Sequence, residues 1–154
     1  MQEALASIRA EIDENITSLT ERVAINEELM ARLHQLAAAK QPYEHSALIR
    51  PTGSVPSSIV WDSARLAGIT NDMPFDLLVA LGRAYGAYVD YNGEMTFFLQ
   101  QLYSSVGGIG STAREFREHP DQLAGYYNDL TGRAQRVKAR FEEALKAIDA
   151  TRLD

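Results

Sequence analysis

Residues 2–39 read QEALASIRAEIDENITSLTERVAINEELMARLHQLAAA, without a proline or a glycine. Within this stretch Ile12, Ile16, Leu19, Val23, Asn26, Met30, Leu33 and Ala37 recur at steps of three and four. That spacing keeps one face of an α-helix against neighbouring helices. The rhythm returns in Leu78, Leu81, Tyr85, Tyr88, Asn92, Met95, Leu99, Leu102 and Val106, and again in Tyr127, Leu130, Ala134, Val137, Phe141, Ala144 and Ile148. Three such runs predict an all-α fold: an elongated up-down-up bundle of three long helices, the first about 55 Å long.

The punctuation between the runs sets the remaining elements. Residues 40–57 hold Pro42, Pro51, Gly53 and Pro56 and read as a linker, with Leu48 and Ile49 pinning its middle onto the bundle. A short helix is expected over residues 58–67, capped by Ser57 or Ser58 and stopped by Gly68. Trp61, the single tryptophan, is its structural anchor, since burying an indole removes a large apolar area from water. The second long helix is expected to start near Pro74 with Asn71 or Asp72 as cap and to end at Gly107-Gly108. Gly82 and Gly86 share one face of it, which predicts close approach of another backbone, that of the short helix with Trp61. A turn of helix over Ser111–Glu118 precedes a last helix of about residues 120–150 opened by Pro120. The first and last helices are expected to run parallel, the second antiparallel to both. The short elements cap one end, and residues 1–154 form a single domain.

Composition narrows the function classes. With 45% hydrophobic and 23% charged residues the chain is that of a folded domain, not a disordered one. A net charge of −6 disfavours binding to phosphate backbones, so no nucleic acid partner is expected. The absence of cysteine removes disulfides, thiolate metal sites and cysteine nucleophiles. No run approaches the apolar length of a membrane span, and residues 2–30 are amphipathic and acidic, unlike a signal peptide. Any membrane attachment would come through a segment outside this chain. Acids concentrate in residues 1–30 and bases in residues 133–152. That distribution reads as complementarity to helix dipoles, or as a basic face for an acidic partner.

The polar residues in the seams are the candidate sites. Asn26 and Asn92 either meet and fix helix register, as buried asparagines do in coiled coils, or line a polar pocket with Tyr85, Tyr88 and Tyr91. Tyr103, Tyr126 and Tyr127 read as core residues with the hydroxyl at the boundary. His34, His45 and His119 are scattered, and Glu115 with His119 has no second Glu-x-x-His element to complete a metal site, so no metal and no cofactor are expected. Gly107-Gly108-Ile109-Gly110 follows a helix and reads as a terminator, not a phosphate cradle.

Ile8-Arg9-Ala10-Glu11-Ile12-Asp13 resembles the start of an all-helical chorismate mutase. The further cations that family carries on the same helix fall near Asn26 and Ala37, neither of them basic, so the activity does not carry over. A broader pattern joins Glu11-xxx-Asn15, then Val60-Trp61-Asp62-Ser63-Ala64-Arg65-Leu66-Ala67-Gly68, then Arg83-Ala84-Tyr85 and Asn92 on a helix begun by proline. It resembles a group of uncharacterised bacterial membrane-anchored proteins, in which one N-terminal transmembrane helix leads directly into a soluble helical domain. The resemblance implies the periplasmic domain of a single-pass inner-membrane protein, and it brings no catalytic residues. The leading expectation is therefore a non-enzymatic interaction or sensing domain, partnered by a second copy or another protein. The alternative is a bundle that binds a small ligand near Asn92. An enzyme using Asp62, Arg65 or His45 is the third reading.

Overall fold

The computed structural model describes residues 2–40, 56–104 and 118–151. Every regular element among them is helical: α1 (Gln2–Ala39), α2 (Ile59–Leu66), a 3-10 turn (Ile69–Asp72), α3 (Phe75–Ser104) and α4 (Pro120–Thr151). The linker's middle with His45, Leu48 and Ile49, the Gly107-Gly108 stop and the turn over Ser111–Glu118 lie wholly or largely outside the described residues.

Local chemistry accounts for the boundaries. Gly68 ends α2 in the left-handed conformation (φ 73°), which a side chain resists, and its N–H returns to the carbonyl of Arg65. Pro74 sits just before α3 and supplies the carbonyl that accepts the Leu78 N–H. Its missing N–H is no loss at a helix start.

The chain divides into two compact units: Met1–Glu21, Ser54–Asp90 and Gln135–Asp154 form one, Arg22–Gly53 and Tyr91–Ala134 the other. The core of the first unit holds Leu5, Ile8, Ile12 and Leu19 of α1, Trp61 and Ala64 of α2, Leu77, Leu81, Ala84 and Tyr85 of α3, and Val137, Phe141, Ala144 and Ile148 of α4. That of the second holds Leu33, Phe98, Leu123, Ala124, Tyr127 and Leu130, with Phe98 stacked on Tyr126 at 5.4 Å and edge-on to Tyr127 at 5.7 Å. Burial in α1 follows steps of seven, Leu5, Ile12, Leu19, Asn26 and Leu33, while Ile16, Val23, Met30 and Ala37 are only half-buried. The other buried line is Ile8, Glu11, Asn15 and Ser18.

Two contacts in the first unit differ from those the up-down-up order leads one to expect. That order sets the start of α1 beside the end of α3 and the start of α4. In the first unit Arg9 instead pairs with Asp149, near the end of α4, and Glu11 meets Tyr85, in the first half of α3. These contacts place the first part of α1 against the first half of α3 and the end of α4. The reason is reach. A short connection forces antiparallel neighbours, whereas a segment as long as residues 40–57 extends to roughly 60 Å. The helix between Asn15 and Ala39 is about 36 Å long, and Ser57 lies against Asn15.

Because the chain has no cysteine, spin labels on Arg9→Cys and Asp149→Cys report this placement cleanly. Electron–electron dipolar spectroscopy is expected to give a short distance. The up-down-up order would separate the labels by roughly 45 Å, about thirty residues along α4.

Candidate functional site

Glu11 and Asn15 stand four apart on the buried line of α1, at 5% and 2% exposure. Polar side chains on such a line need partners, and both find them in the segment leading into α2. Asn15 clamps the backbone of Ser57 on both sides: its Oδ1 accepts the Ser57 N–H at 2.7 Å and its Nδ2 donates to the Ser57 carbonyl at 2.7 Å. Glu11 gathers four donors. Oε1 accepts the Val60 N–H at 2.9 Å and the Ser57 hydroxyl at 3.1 Å; Oε2 accepts the Trp61 N–H at 3.2 Å and the Tyr85 hydroxyl at 2.7 Å.

The first N–H groups of any helix lack partners within it, and the positive end of the helix dipole attracts an anion. A helix of eight residues is too short to hold itself together in water, so α2 borrows its cap from α1. The expectation of Ser57 or Ser58 as cap is met only in part. The Ser57 hydroxyl accepts the Ile59 N–H at 3.2 Å, while the Ser58 hydroxyl donates to Asp62 at 2.8 Å and makes no cap bond.

Tyr85 ties this anchor to the rest of the first unit. Its ring stacks on Trp61 at 5.2 Å and 6° and meets Phe141 edge-on at 5.3 Å and 83°, both geometries favoured by the ring quadrupole. Burial, then the hydrogen bond to Glu11 and its charge, hold the Tyr85 phenol far above its usual range. Burial and the Glu11 charge raise that of Tyr88, whose hydroxyl donates to the Pro56 carbonyl at 2.6 Å. In the second unit burial also raises Tyr91, against the pull of Arg22, and its hydroxyl contacts Met95 Sδ at 3.7 Å.

The expected constellation is therefore split. Tyr85 and Tyr88 belong to the first unit with Trp61, and Asn26 and Asn92 to the second. Asn26 is buried and Asn92 half-buried, and among the described residues no hydrogen bond joins them. The seam periodicity does not single out Glu11 and Asn15 as a site. Their signal is nevertheless there: an acid and an amide four apart on the helix face that carries Ile8 and Leu19.

Beside this anchor lies an open cleft of about 520 Å³, bordered by Trp61 of α2 and by Leu78, Gly82, Tyr85, Gly86 and Val89 of α3. Asp62 and Arg65, 3.6 Å apart, stand on one wall, and Asp90 on the other. The expected close approach of α2 to the glycines does not occur. A Cβ added at Gly82 or at Gly86 would meet no atom within 4 Å. The contact between the two helices is made by the Trp61 and Tyr85 rings, which hold the backbones apart.

Among the described residues no three His, Asp or Glu side chains converge as a metal site, and no helix is long and apolar enough to cross a membrane. Compared with known proteins, the chain matches no family model, no curated sequence and no solved structure.

Replacing Glu11 by Ala strands two backbone N–H groups and a phenol. The expected cost is about 2–4 kcal/mol in urea unfolding, with Trp61 fluorescence shifting toward that of a solvated indole before the helical signal is lost. The raised Tyr85 phenol gives a second prediction. Below pH of about 10 the proton is present in both folded and unfolded chains, and stability does not depend on it. Above that the unfolded chain releases the proton and the native chain keeps it, so stability falls with pH. Tyr85→Phe is expected to remove about 1.4 kcal/mol per pH unit from that alkaline slope, read from unfolding curves at successive pH values.

Proposed function

We propose that this chain is a non-enzymatic interaction or sensing domain whose recognition surface is the α2–α3 cleft of the first unit. The observation that carries this reading is the pair Gly82 and Gly86. Each weakens a helix interior by up to about 1 kcal/mol relative to alanine, and among the described residues neither has a neighbour that requires its bareness. A bare helical backbone is useful to whatever comes to lie on it. Ile59, Leu66, Phe75 and Val89, all on α2 or α3, are large, apolar and exposed, the composition of a surface awaiting a partner. The polar groups beneath serve the cleft indirectly. Glu11 and Asn15 position α2, which forms one of its walls.

A small-ligand reading draws on the cleft volume, which lies in the range of ligand pockets. Its aromatic border is nearly closed, with Trp61 at 5% and Tyr85 at 2% exposure, which leaves little ring face for a ligand to stack on. A macromolecular surface fits the exposed aliphatic groups better. In keeping with the resemblance to membrane-anchored proteins, we place the domain on the periplasmic side of a single-pass protein.

Two measurements test this. Gly82→Ala and Gly86→Ala are each expected to raise stability in urea by up to about 1 kcal/mol; a loss would mean that the fold itself uses the glycines. A photo-crosslinking residue at Val89, introduced in the source cells, is expected to capture a protein, while one at exposed Ala139 of α4 does not. If neither position captures one, the cleft is not the recognition surface.

A further inference from the structure

Building on the cleft as a recognition surface, we propose that its occupant is α3 of a second copy, packed antiparallel across Gly82 and Gly86 about a two-fold axis. Along the exposed face of α3, Phe75, Gly82 and Val89 recur at steps of seven and Gly86 falls four after Gly82, the spacing of a helix–helix seam. Phe75 is 76% exposed and Val89 60%, and the glycines between them open a gap that nothing among the described residues fills. The helix thus carries both a knob and a hole.

A two-fold axis passing between residues 86 and 87 lays Val89 of one chain over the gap between Gly82 and Gly86 of the other, and the reverse. The same axis brings Arg83 opposite the Asp90 of the second copy, and Asp90 opposite its Arg83. Arg83 and Asp90 are exposed, seven apart, on one flank of the seam. In an antiparallel pair that flank faces its own copy. Among the described residues neither has an ion-pair partner, unlike Arg9, Arg65, Arg133 and Arg140. One rotation therefore satisfies shape and charge together, the mark of an isologous interface. Bare glycines let two helices approach at the low end of the usual range of about 8–10 Å.

Sedimentation equilibrium of the full chain at low ionic strength tests the proposal. The wild type is expected to be a dimer. Gly86→Leu fills the hole and is expected to weaken the dimer at least about tenfold, with circular dichroism and monomer unfolding retained because the space at Gly86 is open. Arg83→Glu and Asp90→Arg each set like charges together at both ends, weakening association on the order of tenfold. An equimolar mixture of these two variants restores opposite charges at both contacts and is expected to recover the affinity. A wild type that stays monomeric, or a dimer indifferent to Gly86→Leu and to the charge swaps, overturns the proposal. If the wild type is monomeric while the Val89 position captures a different protein in cells, the second copy is wrong and the interaction surface stands.

Discussion

The first unit depends on one carboxylate. Glu11 lies on a buried helix line and satisfies four donors from two other elements, the entry to α2 and Tyr85 of α3. The backbone groups it serves are those a short helix cannot satisfy for itself. Without that acceptor α2 would have little reason to be helical, since eight residues contribute few hydrogen bonds against the cost of nucleation. With it, the tryptophan is delivered to the face of Tyr85, and the Tyr85 ring reaches Phe141 on α4. A polar interaction thus organises an aromatic one.

The exposed ion pairs contribute far less. Lys138–Glu142 and Arg140–Glu143 lie within one helix turn of each other in solvent, where such pairs are worth tenths of a kcal/mol. Arg9–Asp149 joins a base of the acid-rich segment to an acid of the base-rich one.

Legibility followed the chemistry of each seam. In α4 every residue of the expected line from Tyr127 to Ile148 is buried, because that line is wholly apolar and periodicity reads it without ambiguity. In α1 only Ile12, Leu19, Asn26 and Leu33 of the expected line are buried. The competing line runs through Glu11, Asn15 and Ser18, and hydropathy alone assigns such residues to solvent. An acid's burial is set by donors distant in sequence, such as the Trp61 N–H, and local pattern cannot report these. Which parts of the helices meet in the first unit was hidden for a related reason. Periodicity tells which face is buried but not which end meets which, and a linker as long as residues 40–57 removes the antiparallel default of short loops. Trp61 was legible as an anchor by size alone; the cleft beside it was not. Paired glycines read as close packing, and only the separation held by the Trp61–Tyr85 stack shows the space above them to be open.

The two faces of α3 have opposite characters. Its inner face is fixed, with the Tyr85 and Tyr88 hydroxyls committed to Glu11 and the Pro56 carbonyl and Leu81 and Ala84 fully buried. Its outer face is bare at Gly82 and Gly86 and apolar at Val89. A helix held rigidly on one side loses little further freedom when something packs on the other, and association then costs less than it would on a mobile element. By fixing Tyr85 and the entry to α2, Glu11 holds both walls of the cleft in place. Anything that pushes α2 away from α3 must strain the hydrogen bonds by which Glu11 holds the Val60 and Trp61 N–H groups and the Tyr85 hydroxyl.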